Sequence, residues 1–136
     1  MNIQKKTHNK YKLKHNYTRH ILKFGKYGIK INSFSFLSEK QIVAIEWALL
    51  KKIKKVLNNK TFKFWNLICC NLTLTKLSLE SRMGKGKGAI YEKAIFLKRG
   101  VILFEIDKVS RSQMLDIFYF IKKRIPARVI LVSRVN

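Results

Sequence analysis

Seven consecutive residues, Arg82, Met83, Gly84, Lys85, Gly86, Lys87 and Gly88, hold the densest chemistry of the chain. Three of its six glycines stand here at alternate positions, with lysines between them. Glycine reaches backbone angles closed to other residues and lets a main chain approach another surface. Alternation with lysine therefore makes a loop of little bulk, high positive charge and open amide donors, which suits phosphate. Two nucleotide-site readings fail. A P-loop needs Ser or Thr after Gly-Lys to reach a metal, and both Gly-Lys pairs run into glycine. Gly84-x-Gly86-x-x-Ala89 loosely fits a dinucleotide pattern, but that pattern must open a helix, and Ile90 to Leu97 reads as strand. A solvated basic loop and a loop pressed against nucleic acid remain.

Charge favours a polyanionic partner. Lys and Arg total 30 against 7 acids, a net charge of +23 over 136 residues. Self-repulsion of that size is normally relieved by nucleic acid, with an anionic membrane surface or an acidic protein as the alternative. Residues 1–38 contain no Asp or Glu, and Lys5, Lys6, Lys10, Lys12, Lys14, Arg19 and Lys26 interleave with Tyr11, Tyr17, Phe24 and Tyr27. Lysines release counterions from phosphate and aromatics stack on unpaired bases. The same stretch also reads as a solubilising tail, but it lacks the helical period of a membrane-surface segment. No apolar run is long enough to span a bilayer.

Catalytic and metal-binding sets do not emerge. Cys69 and Cys70 are adjacent, which disfavours a disulfide between them, and they read as buried thiols in a strand. His8, His15 and His20 all lie in the basic arm without a convergent ligand set. Glu105 and Asp107 are expected to form internal salt bridges with the abundant cations. No enzyme activity, cofactor or metal is expected.

The loop must be carried by a scaffold. Ser38-Glu39-Lys40-Gln41 is a capping box that opens a helix to about Leu57, with Ile42, Ile45, Leu49, Ile53 and Val56 on one face. Ser110-x-x-Gln113 opens a second, with Met114, Ile117, Phe118, Ile121 and Ile125 as its apolar stripe and Pro126 as its stop. Strands are expected over Tyr27 to Ile31, Phe62 to Cys70 and Arg128 to Val135, and a hairpin pairing Lys93 to Lys98 with Val101 to Ile106 across Arg99-Gly100. This order predicts an α+β fold, two helices on a mixed, mainly antiparallel sheet. Residues 1–23 form a basic extended arm, and 24–136 form one domain with its loop at 80–92.

Arg82 to Gly88, followed by Lys98-Arg99-Gly100-Val101-Ile102-Leu103-Phe104-Glu105-Ile106, resembles the signature of the bacterial-type large-subunit ribosomal protein L-sixteen family. Phe24-Gly25-Lys26-Tyr27-Gly28-Ile29-Lys30 and Leu37-Ser38-x-x-Gln41-Ile42 resemble further family segments in the same order. The resemblance implies an α/β-hammerhead-like fold, docking on large-subunit rRNA near the aminoacyl-tRNA site, and neighbouring ribosomal proteins as partners rather than a second copy of the chain. It assigns the rRNA- and tRNA-facing role to residues 82–88, with the arm lysines threading rRNA. Lys and Asn largely replace the family's arm arginines, and its prolines before the loop are missing. The richness in Lys, Asn, Ile, Phe and Leu suits an AT-rich genome. With no import signal apparent, it points to an organelle-encoded mitochondrial protein, with another organelle or a bacterial cytoplasm as the alternative.

Overall fold

The computed structural model describes residues 5–7, 20–58 and 60–135. In chain order the elements are β1 (Tyr27–Ile31), β2 (Ser35–Ser38), α1 (Glu39–Val56), β3 (Lys63–Asn66), β4 (Leu72–Lys76), β5 (Ala89–Leu97), β6 (Ile102–Asp107), α2 (Arg111–Lys122) and β7 (Val129–Ser133). Both helices start at the predicted capping boxes, where Ser38 and Ser110 accept from the amides of Gln41 and Gln113 and the glutamines reach back. The Lys40 amide of α1 also donates to Glu92 of β5 at 3.2 Å, so a carboxylate from the sheet sits at the positive end of the helix. The apolar stripes are buried as their spacing requires, with Ile42, Ile45, Leu49 and Ile53 from α1 and Met114, Ile117, Phe118 and Ile121 from α2.

The α+β class is as expected, but its strands divide into two sheets, β3-β6-β1-β7 and β2-β5-β4, and every pairing is antiparallel. The hairpin expected across Arg99-Gly100 does not form. Gly100, at φ 97°, donates to the Ile31 carbonyl, and Val101 accepts from the Ile31 amide. That turn hands the chain from β5 in one sheet to the end of β1 in the other. The two apolar strands are each satisfied, but by different neighbours.

The strand expected over Phe62 to Cys70 ends at Asn66. After one more main-chain bond, from the Leu67 amide to the Leu103 carbonyl at 2.9 Å, a local turn takes over from the ladder: the Asn66 side-chain oxygen accepts from the Ile68 amide at 2.9 Å, and its amide nitrogen donates to Glu46 of α1. Cys69 and Cys70 therefore lie outside any strand, Cys69 exposed and Cys70 half-buried, both as free thiols. Burial pushes the Cys70 thiol pKa up, and the nearby Glu39 carboxylate adds to this.

The core lies between the helices and the four-stranded sheet, around Ile29, Leu49, Ile53, Phe104, Ile117 and Ile121. The opposite face of that sheet is covered as well. There the stretch 20–25 crosses it, with Leu22 buried beside Gly28 and Ile102, and Phe24 stacked on Trp65 at 5.8 Å between ring centres. Covering both faces explains why β6 is apolar almost throughout.

Candidate nucleic-acid interface

The Gly/Lys segment lies at the tip of a long connection, residues 77–88, between the antiparallel partners β4 and β5. Residues 76–87 are all exposed. The finger has some internal order, with a turn in which the Ser81 amide donates to the Ser78 carbonyl at 3.1 Å while the two hydroxyls bond each other. Its glycines have different roles. Gly84 and Gly86 take φ of 85° and 101°, and a Cβ at either would meet nothing within 4 Å. They are required by backbone conformation, with open space around the tip. Gly88 is required by contact, because a Cβ there would lie 2.4 Å from the Lys76 carbonyl oxygen. That glycine closes the base of the finger, just below the register shift at Leu74/Thr75 in the β4–β5 ladder.

The finger does not stand alone. Residues 5–7 of the arm lie alongside β4, where the Thr7 amide donates to Thr73 Oγ1 and the Thr73 amide to Thr7 Oγ1, both at 3.1 Å. Thr73 Oγ1 also donates to the Lys5 carbonyl at 3.0 Å. At the finger, Lys6 Nζ donates to the Lys87 carbonyl at 2.9 Å, and Lys87 Nζ donates to the Thr7 carbonyl at 2.7 Å. The fold thereby gathers Lys5, Lys6, Lys85, Lys87 and Arg82 around one projection, where Glu80 is the loop's only acid.

The remaining sequence-predicted positions separate. Lys26 stands at the head of β1, where its carbonyl accepts from the Arg134 amide at 2.8 Å and its ammonium lies 5.9 Å from the Tyr27 ring centre. Lys10, Lys12, Lys14 and Arg19 lie outside the described residues. So do His8 and His15, while the Nδ1 of His20 is buried without a hydrogen-bond partner among the described residues.

Glu105 corrects another expectation. Its side chain, fully buried in the central strand, accepts from the amides of Lys23, Phe24 and Gly25 at 3.1, 2.7 and 2.7 Å. Among the described residues, three consecutive main-chain donors stand where a lysine or arginine partner was expected. The root of the arm is thereby pinned across the sheet, with further ties from Lys30 Nζ to the His20 carbonyl and from Arg134 Nη2 to the Leu22 carbonyl. Sequence reasoning missed both anchors, Glu105 and Thr73. The signal for the first was a lone carboxylate inside an apolar run; for the second, it was threonines alternating with leucines in Leu72-Thr73-Leu74-Thr75.

The site is a projecting, cationic, glycine-jointed finger. Among the described residues no three His, Cys, Asp or Glu side chains converge on a metal position, and no helix is long and apolar enough to cross a membrane. The family described as ribosomal protein L16p/L10e matches residues 2–132. The chain is 50% identical over 134 residues to the large ribosomal subunit protein uL16m of Chondrus crispus, covering 98% of this chain and 97% of that one. It is 31% identical over 114 residues to the uL16 of Thermosipho africanus, covering 84% and 77%. Identity to the uL16 of Buchnera aphidicola subsp. Cinara cedri is also 31%, over 111 residues.

Proposed function

Because this chain belongs to the ribosomal protein L16p/L10e family and is a structural constituent of the large ribosomal subunit, we propose that its finger reaches rRNA and tRNA at the aminoacyl site, beside the peptidyl-transferase centre. The observation that carries the reading is the wholly exposed segment 77–87, held at its base by Gly88 and by the Lys6–Lys87 clasp, with unobstructed space around Gly84 and Gly86. Lys85 and Lys87 neutralise backbone phosphates, Arg82 offers a planar fork to phosphate or a base edge, and the glycines let the main chain close in. Leu79 and Met83 are almost fully exposed, a costly state for large apolar side chains that ends when the finger is embedded in a partner. The arm, residues 1–23, extends the same cationic surface along rRNA from the domain formed by 24–136.

The contribution to translation is positional. The finger holds RNA in register and moves no proton, so the protein is not itself an enzyme. It acts as one copy among rRNA and neighbouring proteins, and the half-identical uL16m relative supports the mitochondrial ribosome as its place. The test is Lys85→Ala/Lys87→Ala in assembled large subunits. Sedimentation with the particle is expected to persist, while aminoacyl-site tRNA binding weakens and its logarithmic salt dependence falls by about one to two units. Unchanged tRNA binding and salt slope in correctly assembled particles would remove the finger from the aminoacyl site.

A further inference from the structure

The outward side of the helix layer carries a second surface, built from residues the RNA reading does not use. Val43 and Trp47, 59% and 65% exposed, stand one turn apart on α1. Along α1 runs an open groove of about 600 Å3, with Ala44 and Ala48 in its lining and Arg124, just past the end of α2, opposite. Past Trp47 and Ala48 it continues into a hollow lined by Lys51, Lys52, Lys55 and Phe120, which makes that end cationic. Lys51 Nζ lies 5.0 Å from the Trp47 ring centre, and Phe120 of α2 is flanked by Lys52 at 5.5 Å and Arg124 at 4.3 Å. Lys40 lines the other end of the groove, and among the described residues Glu39 is the only acid lining it.

We propose that this groove docks a segment of a neighbouring protein that is acidic at its ends and apolar in its middle. Charge complementarity sets the ends: carboxylates would meet Lys40 at one end and Lys51 and Lys52 at the other, with Arg124 along the side of the trough to pair with the same acidic flanks. At about 1.5 Å per residue, Lys40 to Lys51 spans roughly 16 Å, three turns of a docked helix. The middle is set by shape. Small aliphatic residues flanked by Val43 and Trp47 accept apolar side chains spaced at one helical turn, the helix-in-groove mode of recognition. A nucleic acid fits less well, since stacking needs flat faces and here only Trp47 offers an exposed one along a mainly aliphatic trough.

The experiment uses the full chain in assembled large subunits, with a photo-crosslinking amino acid at Val43 in one preparation and at Met83 in another. The expected result at position 43 is an adduct to a protein segment that mass spectrometry identifies as carboxylate-flanked with apolar residues at helical spacing. Adding Lys51→Glu/Arg124→Glu should cut that adduct at least tenfold while leaving the Met83 adduct unchanged. Position 83 reports separately on the RNA-facing finger, so failure of one reading leaves the other visible. An rRNA adduct at position 43, an adduct to a segment without flanking acids, or no adduct in particles that crosslink normally through position 83 overturns the proposal.

Discussion

Replacing Glu105 tests whether the arm's root is held by the fold or merely lies against it. The side chain is 0% exposed and accepts three amide hydrogen bonds, from Lys23, Phe24 and Gly25. A buried donor stripped of its acceptor costs about 1–3 kcal/mol, and a bond to a charged group contributes about 1.5–3 kcal/mol. The Gly25 amide is buried and loses the full amount, whereas those of Lys23 and Phe24 are part-buried and recover some hydration. Counting the first in full and the others at about half, at the value for a charged acceptor, gives roughly 3–6 kcal/mol for Glu105→Ala. That is a large share of the about 5–15 kcal/mol that stabilises a domain of this kind. Glu105→Gln keeps one acceptor oxygen and turns an NH2 group towards a donor, so about 2 kcal/mol is expected. Urea denaturation of the full chain reads the global loss. Hydrogen exchange reads the local one, with amides 23–25 exchanging about thirtyfold faster in Glu105→Gln. A cost below about 1 kcal/mol for Glu105→Ala, with unchanged exchange at 23–25, would refute the anchor.

Two further outcomes follow from the same geometry. Gly88→Ala drives a Cβ into the Lys76 carbonyl and should break the β4–β5 pairing at the finger base, whereas Gly84→Ala meets open space and costs only about 1–2 kcal/mol of backbone strain; amide exchange across β4 distinguishes them. Iodoacetamide near pH 8 should alkylate exposed Cys69 well before Cys70, because burial both shields the Cys70 thiol and raises its pKa; equal rates by mass spectrometry would contradict that placement.

Local chemistry was legible where a short-range rule decides the structure. Both capping boxes and both apolar stripes need only residues within a few turns, and they appear where the spacing placed them. Partner choice between strands was not legible. An apolar strand such as β5 can pair with any antiparallel neighbour, and its assignment to β2 and β4 depends on Gly100 bonding to Ile31, which lies far away in sequence. Asn66 shows a second limit, since a single side-chain bond to Ile68 ends a strand whose composition favours continuation. The composition of the Gly/Lys finger was evident from the sequence. Its clasp with the arm was not, because the Thr7–Thr73 and Lys6–Lys87 contacts join segments more than sixty residues apart.

On the proposed RNA-binding role of the finger, that clasp decides whether the arm would act with it as one unit. The bonds between Lys6 and the Lys87 carbonyl and between Lys87 and the Thr7 carbonyl are exposed, and each is worth only about 0.5–1.5 kcal/mol net. Phosphate can therefore draw either ammonium away, so the clasp sets position without locking it. The Thr7–Thr73 bonds are part-buried and harder to replace. Thr73→Val keeps the shape of β4 but removes the hydroxyl that accepts from Thr7 and donates to Lys5. If arm and finger act together, releasing the arm should reduce what Lys87 contributes. A double-mutant cycle of Thr73→Val with Lys87→Ala, read as affinity for large-subunit rRNA, should then show a coupling of about 0.5–1 kcal/mol. Effects that add to within about 0.3 kcal/mol would mean that the two basic segments grip independently, and that their meeting at β4 is incidental to binding.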